Sequence, residues 1–232
     1  QDGAKLDPTV RASYLFNSTI ARISDANALL LVGCNPRIEA PVLNARIRKR
    51  WIEGEFPIGV IGEDIDLTYP TEHIGNSARA LKNIADGKET FGATLKKTDQ
   101  SMIIVGQDAL IGEEGALVLG LARRAAENLG MVGSGWNGFN VLHTAASRVG
   151  GLDLGFVPGK DGCNVPDILL GASSGQIKVV YLLGADEIDM SQLGSAFVIY
   201  QGHHGDAGAH RADVILPGAA YTEKNATYVN TE

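Results

Sequence analysis

The sequence predicts an α/β fold built from two Rossmann-like lobes with mostly parallel sheets. Three observations support this. Short apolar runs recur without polar alternation, and most end in glycine. Helix-forming stretches separate them. A strand-and-turn pattern near residue 30 returns near residue 180. Strands buried on both faces read as continuous apolar runs, which is the habit of parallel sheets joined by helical crossovers.

The strand runs are Ala28–Gly33, Ile58–Gly62, Met102–Gly106, Val179–Gly184 and Phe197–Gly202, with a sixth, Asp213–Pro217, ending in proline. Among the helical stretches, Asp7-Pro8 is expected to open a helix, with Asp as cap and Pro in the first turn. Over Pro41 to Trp51, Leu43, Ile47 and Trp51 fall at i, i+4 and i+8 and form one apolar stripe. Asn76 to Ala85 groups Ala80, Leu81 and Ile84, with Gly87 as a natural stop. Glu114 to Leu129 is rich in Ala and Leu, good helix formers. Val141 to Val149 and Pro166 to Ala172 are further expected helices. The turns Gly33-Cys34-Asn35-Pro36 and Gly184-Ala185-Asp186-Glu187 are each followed within about 25 residues by a second glycine-ended strand, the spacing of a crossover unit. The polar stretch Lys96–Gln100 sets the expected boundary. It gives a first lobe at 1–97, a second at 98–217 and a C-terminal extension at 218–232.

Composition narrows the function. Glycine supplies 29 of 232 residues, about one in eight against a typical share of roughly 7%. Such an excess serves sharp turns or close backbone approach. The hydrophobic share of 44% excludes a disordered chain. Charge is −7, from 20 basic and 27 acidic residues, so nucleic acid is not an expected partner. Cys34 and Cys163 lie far apart without C-x-x-C spacing. They make no disulfide framework, fit a reducing compartment, and are too few to hold an iron–sulfur cluster. No apolar run reaches the roughly 18 residues of a membrane span, so direct membrane insertion is not expected. The chain starts at Gln1 and stops at Glu232 without a terminal signal, and is expected to be a piece of a longer protein.

Gly133-Ser134-Gly135-Trp136-Asn137-Gly138 matches G-x-G-x-x-G by letter. That motif needs a strand before it and a helix after it, and here a helix precedes, so a loop is expected. No P-loop and no G-x-S-x-G elbow occur. In open α/β sheets ligands sit beyond the carboxyl ends of strands, so Gly33, Asn35, Gly184, Asp186 and Gly202 mark a candidate crevice. The alternative is that strand-to-helix turns favour glycine with no ligand involved. His203, His204 and His210, with Asp206, are the densest set of metal-ligating types. Adjacent histidines in a strand point to opposite faces, however, and a polar loop explains them as well. No catalytic residue is recognised. Arg46, Arg48, Lys49 and Arg50, just before Trp51, form the basic block. It is either a solvated helix face or a protein contact, since Arg and Trp are favoured at interfaces.

Taken together, several segments resemble one family. They are Asn27–Pro41, Asn44–Lys49, Asp66–Tyr69, Leu152–Phe156, Tyr200–Asp206 and Ala212–Lys224. Across essentially the whole chain they are similar to the large iron–sulfur subunit of respiratory complex I, NADH:quinone oxidoreductase. The resemblance implies a fold related to molybdopterin-dependent oxidoreductases such as formate dehydrogenases. There, two lobes grip a pterin dinucleotide at loops like Gly33–Pro36 and Gly184–Glu187. It also implies that this chain has lost that cofactor and that the iron–sulfur clusters belong to an N-terminal region outside it. Its partners would be other subunits of the hydrophilic arm, on the cytoplasmic face of a bacterial inner membrane or the matrix side of the mitochondrial one. Cys34 departs from the threonine expected at that position. The expected role is structural, with the basic block as interface. The alternative is a molybdopterin-binding lobe of a molybdenum oxidoreductase. The residues bear on that choice: Arg37 is the one cation of the first loop, while Asp186, Glu187 and Asp189 in the second would repel a pyrophosphate.

Overall fold

The computed structural model describes residues 3–232, which fall into two compact units. The first unit runs to Phe156 and includes Tyr228–Glu232; the second is Val157–Thr227.

The first unit contains, in chain order, β1 (Ala28–Val32), α1 (Pro36–Glu39), α2 (Pro41–Ile52), β2 (Ile58–Ile61), β3 (Glu72–Gly75), α3 (Ala78–Ala85), α4 (Thr90–Lys97) and β4 (Ser101–Gly106). Then come α5 (Gly115–Asn128), a short antiparallel pair β5 (Val132–Gly133) and β6 (Trp136–Asn137), β7 (Phe139–Leu142) and α6 (Arg148–Asp153). The main sheet is wholly parallel, in the order β3-β2-β1-β4-β7. Leu30 stands beside both Gly59 and Ile103, and Ile104 beside Asn140. The chain therefore winds from β1 to β2 and β3 in one direction, and from β4 to β7 in the other. The reversal between β1 and β4 is the place where such sheets bind ligands.

Winding both ways covers both faces. Leu30, Val32, Ile103 and Val105 meet Leu81, Ile84, Leu95 and Ala122 on one side. The intervening Leu29, Leu31, Met102 and Ile104 meet Leu43, Ile47, Phe16 and Ile23 on the other. This two-sided burial is why the strands read as unbroken apolar runs. On α2, Leu43 and Ile47 are buried and Trp51 packs half-buried beside them, as the stripe predicts.

The second unit contains α7 (Val165–Ser173), β8 (Val179–Leu183), β9 (Phe197–Gly202), α8 (Ala207–Arg211) and β10 (Val214–Pro217). Its sheet is parallel in the order β10-β9-β8. Val180, Leu182, Val198 and Tyr200 face a core with Ala172, Leu193 and Ala196.

All six expected strand runs form strands, and the two mostly parallel sheets are the predicted fold class. Some local expectations fail. Asp7-Pro8 opens no helix, because the Asp7 carboxylate accepts from the Thr9 N–H and hydroxyl at 3.0 and 2.5 Å and closes a turn. The expected helix over Val141–Val149 is two elements. Phe139–Leu142 is strand, since Phe139 and Val141 face the core, and the helix starts only at Arg148. The stretch Lys96–Gln100 lies inside the first unit, because β4 follows at once and pairs with β1. The division comes at Phe156/Val157 instead. Of residues 218–232, the last five belong to the first unit, where the Phe16 N–H donates to Thr231 O at 2.8 Å. Residues 133–138 form the small β5–β6 hairpin, with helix α5 before it and strand β7 after it. The structural context for dinucleotide binding is absent there.

Candidate functional site

The chain turns sharply where β1 ends. Gly33 adopts a positive φ of 52°, and Pro36 opens α1 directly after Asn35. A cavity of about 560 Å³ lies outside the carboxyl ends of β1, β2 and β4. Gly33, Asn35 and Glu39 line it from the β1 turn, Gly62 and Glu63 from β2, and Asp108 from the turn after β4. A larger hollow, about 630 Å³, lies at the opposite, amino ends of the strands around Asn27, Arg50 and Pro57. Open α/β sheets bind ligands at the carboxyl ends, so the first cavity is the candidate site.

The glycines here admit protein rather than ligand. A Cβ at Gly33 would stand 2.4 Å from the Ala109 Cβ, and one at Gly106 would stand 2.3 Å from the Gly33 carbonyl oxygen. The two turns flanking the switch point press on each other, and only glycine lets them.

The polar groups have the wrong sign for a pyrophosphate. The Asn35 N–H, which would face a phosphate at this turn, donates to a carboxylate oxygen of Glu39. Burial raises the Glu39 pKa above its ordinary 4.5; the Asn35 N–H opposes that rise and the neighbouring Asp108 carboxylate adds to it. Asn35 Oδ1 and Glu39 Oε2 are buried without a hydrogen-bond partner, and both are acceptors, as phosphate oxygens are. The loop's cation, Arg37, donates to Asp66 at the carbonyl oxygen (2.9 Å) and carboxylate (2.8 Å). Cys34 is buried within this turn, and burial pushes its thiol pKa up, away from the reactive thiolate.

The second unit repeats the pattern. Gly184, with φ 60°, ends β8 and donates to Gln201 O at 2.8 Å. The Gly202 carbonyl accepts from Gly218 N–H at 2.9 Å. Asp186 accepts from Gly208 N–H at 3.0 Å, so an internal carboxylate already holds the start of α8. Asp189 accepts from the Ser191 N–H and hydroxyl. In each unit a carboxylate of the chain accepts from a backbone N–H near a strand-to-helix turn. The residues present do not fit a pterin pyrophosphate.

His203, His204 and His210 are exposed, with the first two rings 4.3 Å apart. Among the described residues, no group of three or more His, Cys, Asp or Glu side chains is placed to hold a metal ion. On α2, Arg46, Arg48 and Lys49 are exposed, together with the apolar Val42 and Ile52. Arg50 differs, because its guanidinium donates to Ala26 O and Gly54 O and covers the Phe56 ring. It holds the fold, and the exposed basic face is Arg46, Arg48 and Lys49. Among the described residues no helix is long and apolar enough to cross a membrane.

Glu39, Asp108 and Gly106 were not among the expected site residues. Glu39 follows Asn35 by four positions, a spacing that lets a carboxylate reach back to the turn's N–H. Asp108 arrives from β4 and has no sequence signal.

Glu39 gives a pH-dependent prediction. A carboxyl with a raised pKa in the fold stabilises the fold below its unfolded value, and that contribution is lost as pH rises through the folded one. Glu39→Gln keeps an acceptor for the Asn35 N–H and removes the charge. Thermal midpoints of the variant and native chains are expected to agree near pH 4, with the variant higher near pH 7. A variant lower at pH 7 would mean that the buried charge is stabilising.

The molybdopterin oxidoreductase family model matches residues 1–232. The chain is 43% identical over 222 residues to the NADH-ubiquinone oxidoreductase 75 kDa subunit of Reclinomonas americana, covering 96% of this chain and 32% of that protein. It is 43% identical over 228 residues to an NADH-quinone oxidoreductase subunit of Rickettsia bellii, covering 98% and 32%. With the mitochondrial NADH-ubiquinone oxidoreductase 78 kDa subunit of Candida albicans, identity is 45% over 225 residues, covering 96% and 29%. The chain spans about a third of the length of these curated relatives.

Proposed function

The chain belongs to the molybdopterin oxidoreductase family, and from that premise we propose that it is a structural, non-catalytic part of the large iron–sulfur subunit of a respiratory NADH:quinone oxidoreductase. The observation that supports this is Glu39 on the Asn35 N–H at the switch point, where an internal carboxylate sits in place of a phosphate. Catalysis through a pterin is not this chain's work. Electrons pass from NADH to quinone through flavin and iron–sulfur clusters held elsewhere in the parent complex. The chain supports the cluster-bearing region and packs against other subunits of the hydrophilic arm. It lies peripherally, on the cytoplasmic face of a bacterial inner membrane or the matrix side of a mitochondrial one.

The docking face is Arg46, Arg48 and Lys49 on α2, whose partner carries acidic groups. Reversing Arg48 and Lys49 to glutamate in the full-length parent is expected to lower the assembled fraction on a native gel roughly tenfold, by placing like charges in contact. Unchanged assembly would remove this face from the account. The cavity at the switch point favours a second reading, a molybdopterin-binding lobe. Its carboxylates oppose that reading, because they line the same space as the phosphates would.

A further inference from the structure

Asn35 and Glu39 bracket α1, a single helical turn. The Ile38 and Glu39 N–H groups donate to Asn35 O at 3.0 and 2.9 Å, and the Asn35 N–H donates back to Glu39 Oε1. Asn is a favoured helix cap because its side-chain oxygen accepts from the free N–H groups of the first turn. Here the Asn35 side chain makes no such bond. Its Oδ1 is buried without a partner, and so is Glu39 Oε2. Buried polar atoms are almost always hydrogen-bonded, so two orphans in one residue pair call for a missing donor.

One proton supplies it. An ionised carboxylate has no donor, whereas a protonated one has a single O–H. With the proton on Oε2, Glu39 can donate to Asn35 Oδ1 while Oε1 keeps the Asn35 N–H. We propose that Glu39 is a proton-operated latch on the β1–α1 turn: its acid form donates Oε2–H to Asn35 Oδ1 and closes the turn, and its ionised form releases it. On ionisation the Oε2–H bond breaks and the proton passes to water. Two acceptors then stand with no donor between them, and water reaches them only if the turn opens.

The charges around Glu39 favour the acid form. Asp108 from the β4 turn and Glu63 from the end of β2 line the same cavity, as does the Cys34 thiol. Among the described residues no Lys, Arg or His lines it. Arg37, on α1 itself, is held by Asp66. Burial raises the Glu39 pKa and Asp108 adds to the rise, so release comes above the ordinary glutamate range. The closed turn is present below the folded-state pKa and is lost as pH rises through it. Release frees the backbone that lines the cavity at Gly33 and Asn35.

The test follows the Glu39 side-chain carboxyl carbon by NMR through a pH titration of this chain and of Asn35→Ala. A hydrogen bond made by the neutral form holds its proton on. Removing Asn35 Oδ1 is therefore expected to lower the midpoint by roughly 0.7 pH unit, the equivalent of one ordinary hydrogen bond. A higher midpoint would overturn the latch, because the Asn35 Nδ2–H would then be donating to an ionised Glu39. An unchanged midpoint would overturn it as well. Should Asn35→Ala fold poorly, labelling of Cys34 by dithiodipyridine in a Cys163→Ser background reports the same opening, since Cys34 is buried in this turn. The comparison is Glu39→Gln, whose amide offers Asn35 Oδ1 a permanent donor. The ratio of rates, glutamate to glutamine, is expected near one at pH 4 and about tenfold higher near pH 8, through local opening. A ratio that stays flat with pH would overturn the inference.

Discussion

Gly106→Ala is expected to lower the thermal midpoint of this chain by roughly 6–12 °C, from an overpacking cost of about 3 kcal/mol. The reason is space. A Cβ there would meet the Gly33 carbonyl oxygen at 2.3 Å and the Cys34 Cβ at 2.5 Å. Gly106 ends β4 with an extended backbone, φ −72° and ψ 148°, so alanine brings no dihedral strain and the effect is contact alone. Backbone on one side and a buried side chain on the other cannot both retreat. Gly133→Ala is the control, because nothing lies within 4 Å of its Cβ position, and its midpoint should stay near the native value. Thermal unfolding followed by circular dichroism measures both. Equal midpoints would mean that the β1 and β4 turns are not packed together.

Asn140→Leu is expected to cost about 3 kcal/mol, although leucine is similar in size, because buried groups lose their partners. Asn140 is fully buried in β7. Its Oδ1 accepts from the Ser18 N–H at 2.9 Å and the Ser18 hydroxyl at 3.1 Å. Its Nδ2 donates to the carbonyls of Gly138 at 3.0 Å and Ile103 at 3.4 Å. Leucine would leave the Ser18 N–H buried and unpaired. Hydrogen exchange should rise in the segment around Phe16 and Ser18 and stay unchanged in β8, β9 and β10. A uniform rise would show that the side chain holds more than this segment.

These two residues also mark how far the sequence was legible. The runs of β1, β2 and β4 are legible because both faces are buried, those of β8, β9 and β10 because apolar side chains also stand on their exposed positions, and glycine or proline closes each run. β3 escaped notice because its Glu72 and His73 are exposed at the sheet edge, leaving no apolar run. β7 escaped because Asn140 interrupts its run and Ala145 and Ala146 follow, mimicking a helix. The boundary was misplaced because a polar stretch precedes β4 and nothing local says that β4 returns to β1. That pairing is a long-range contact. The site was legible in the same uneven way. Gly33 and Asn35 stood out as a turn after a strand. What fills the turn depends on α1 folding back, which brings Glu39 onto Asn35, and on the β4 turn, which brings Asp108 and Ala109 near. The glycine excess pointed to close approach, and at Gly33 and Gly106 the approaching group is the chain itself.

The central claim is that this chain's own carboxylates take the place of a pyrophosphate. The most direct measurement is the pterin and molybdenum content of the full-length parent protein, by fluorescence after oxidation and by elemental analysis of the same sample. The account predicts neither above background. Pterin and molybdenum together at one per chain would contradict it.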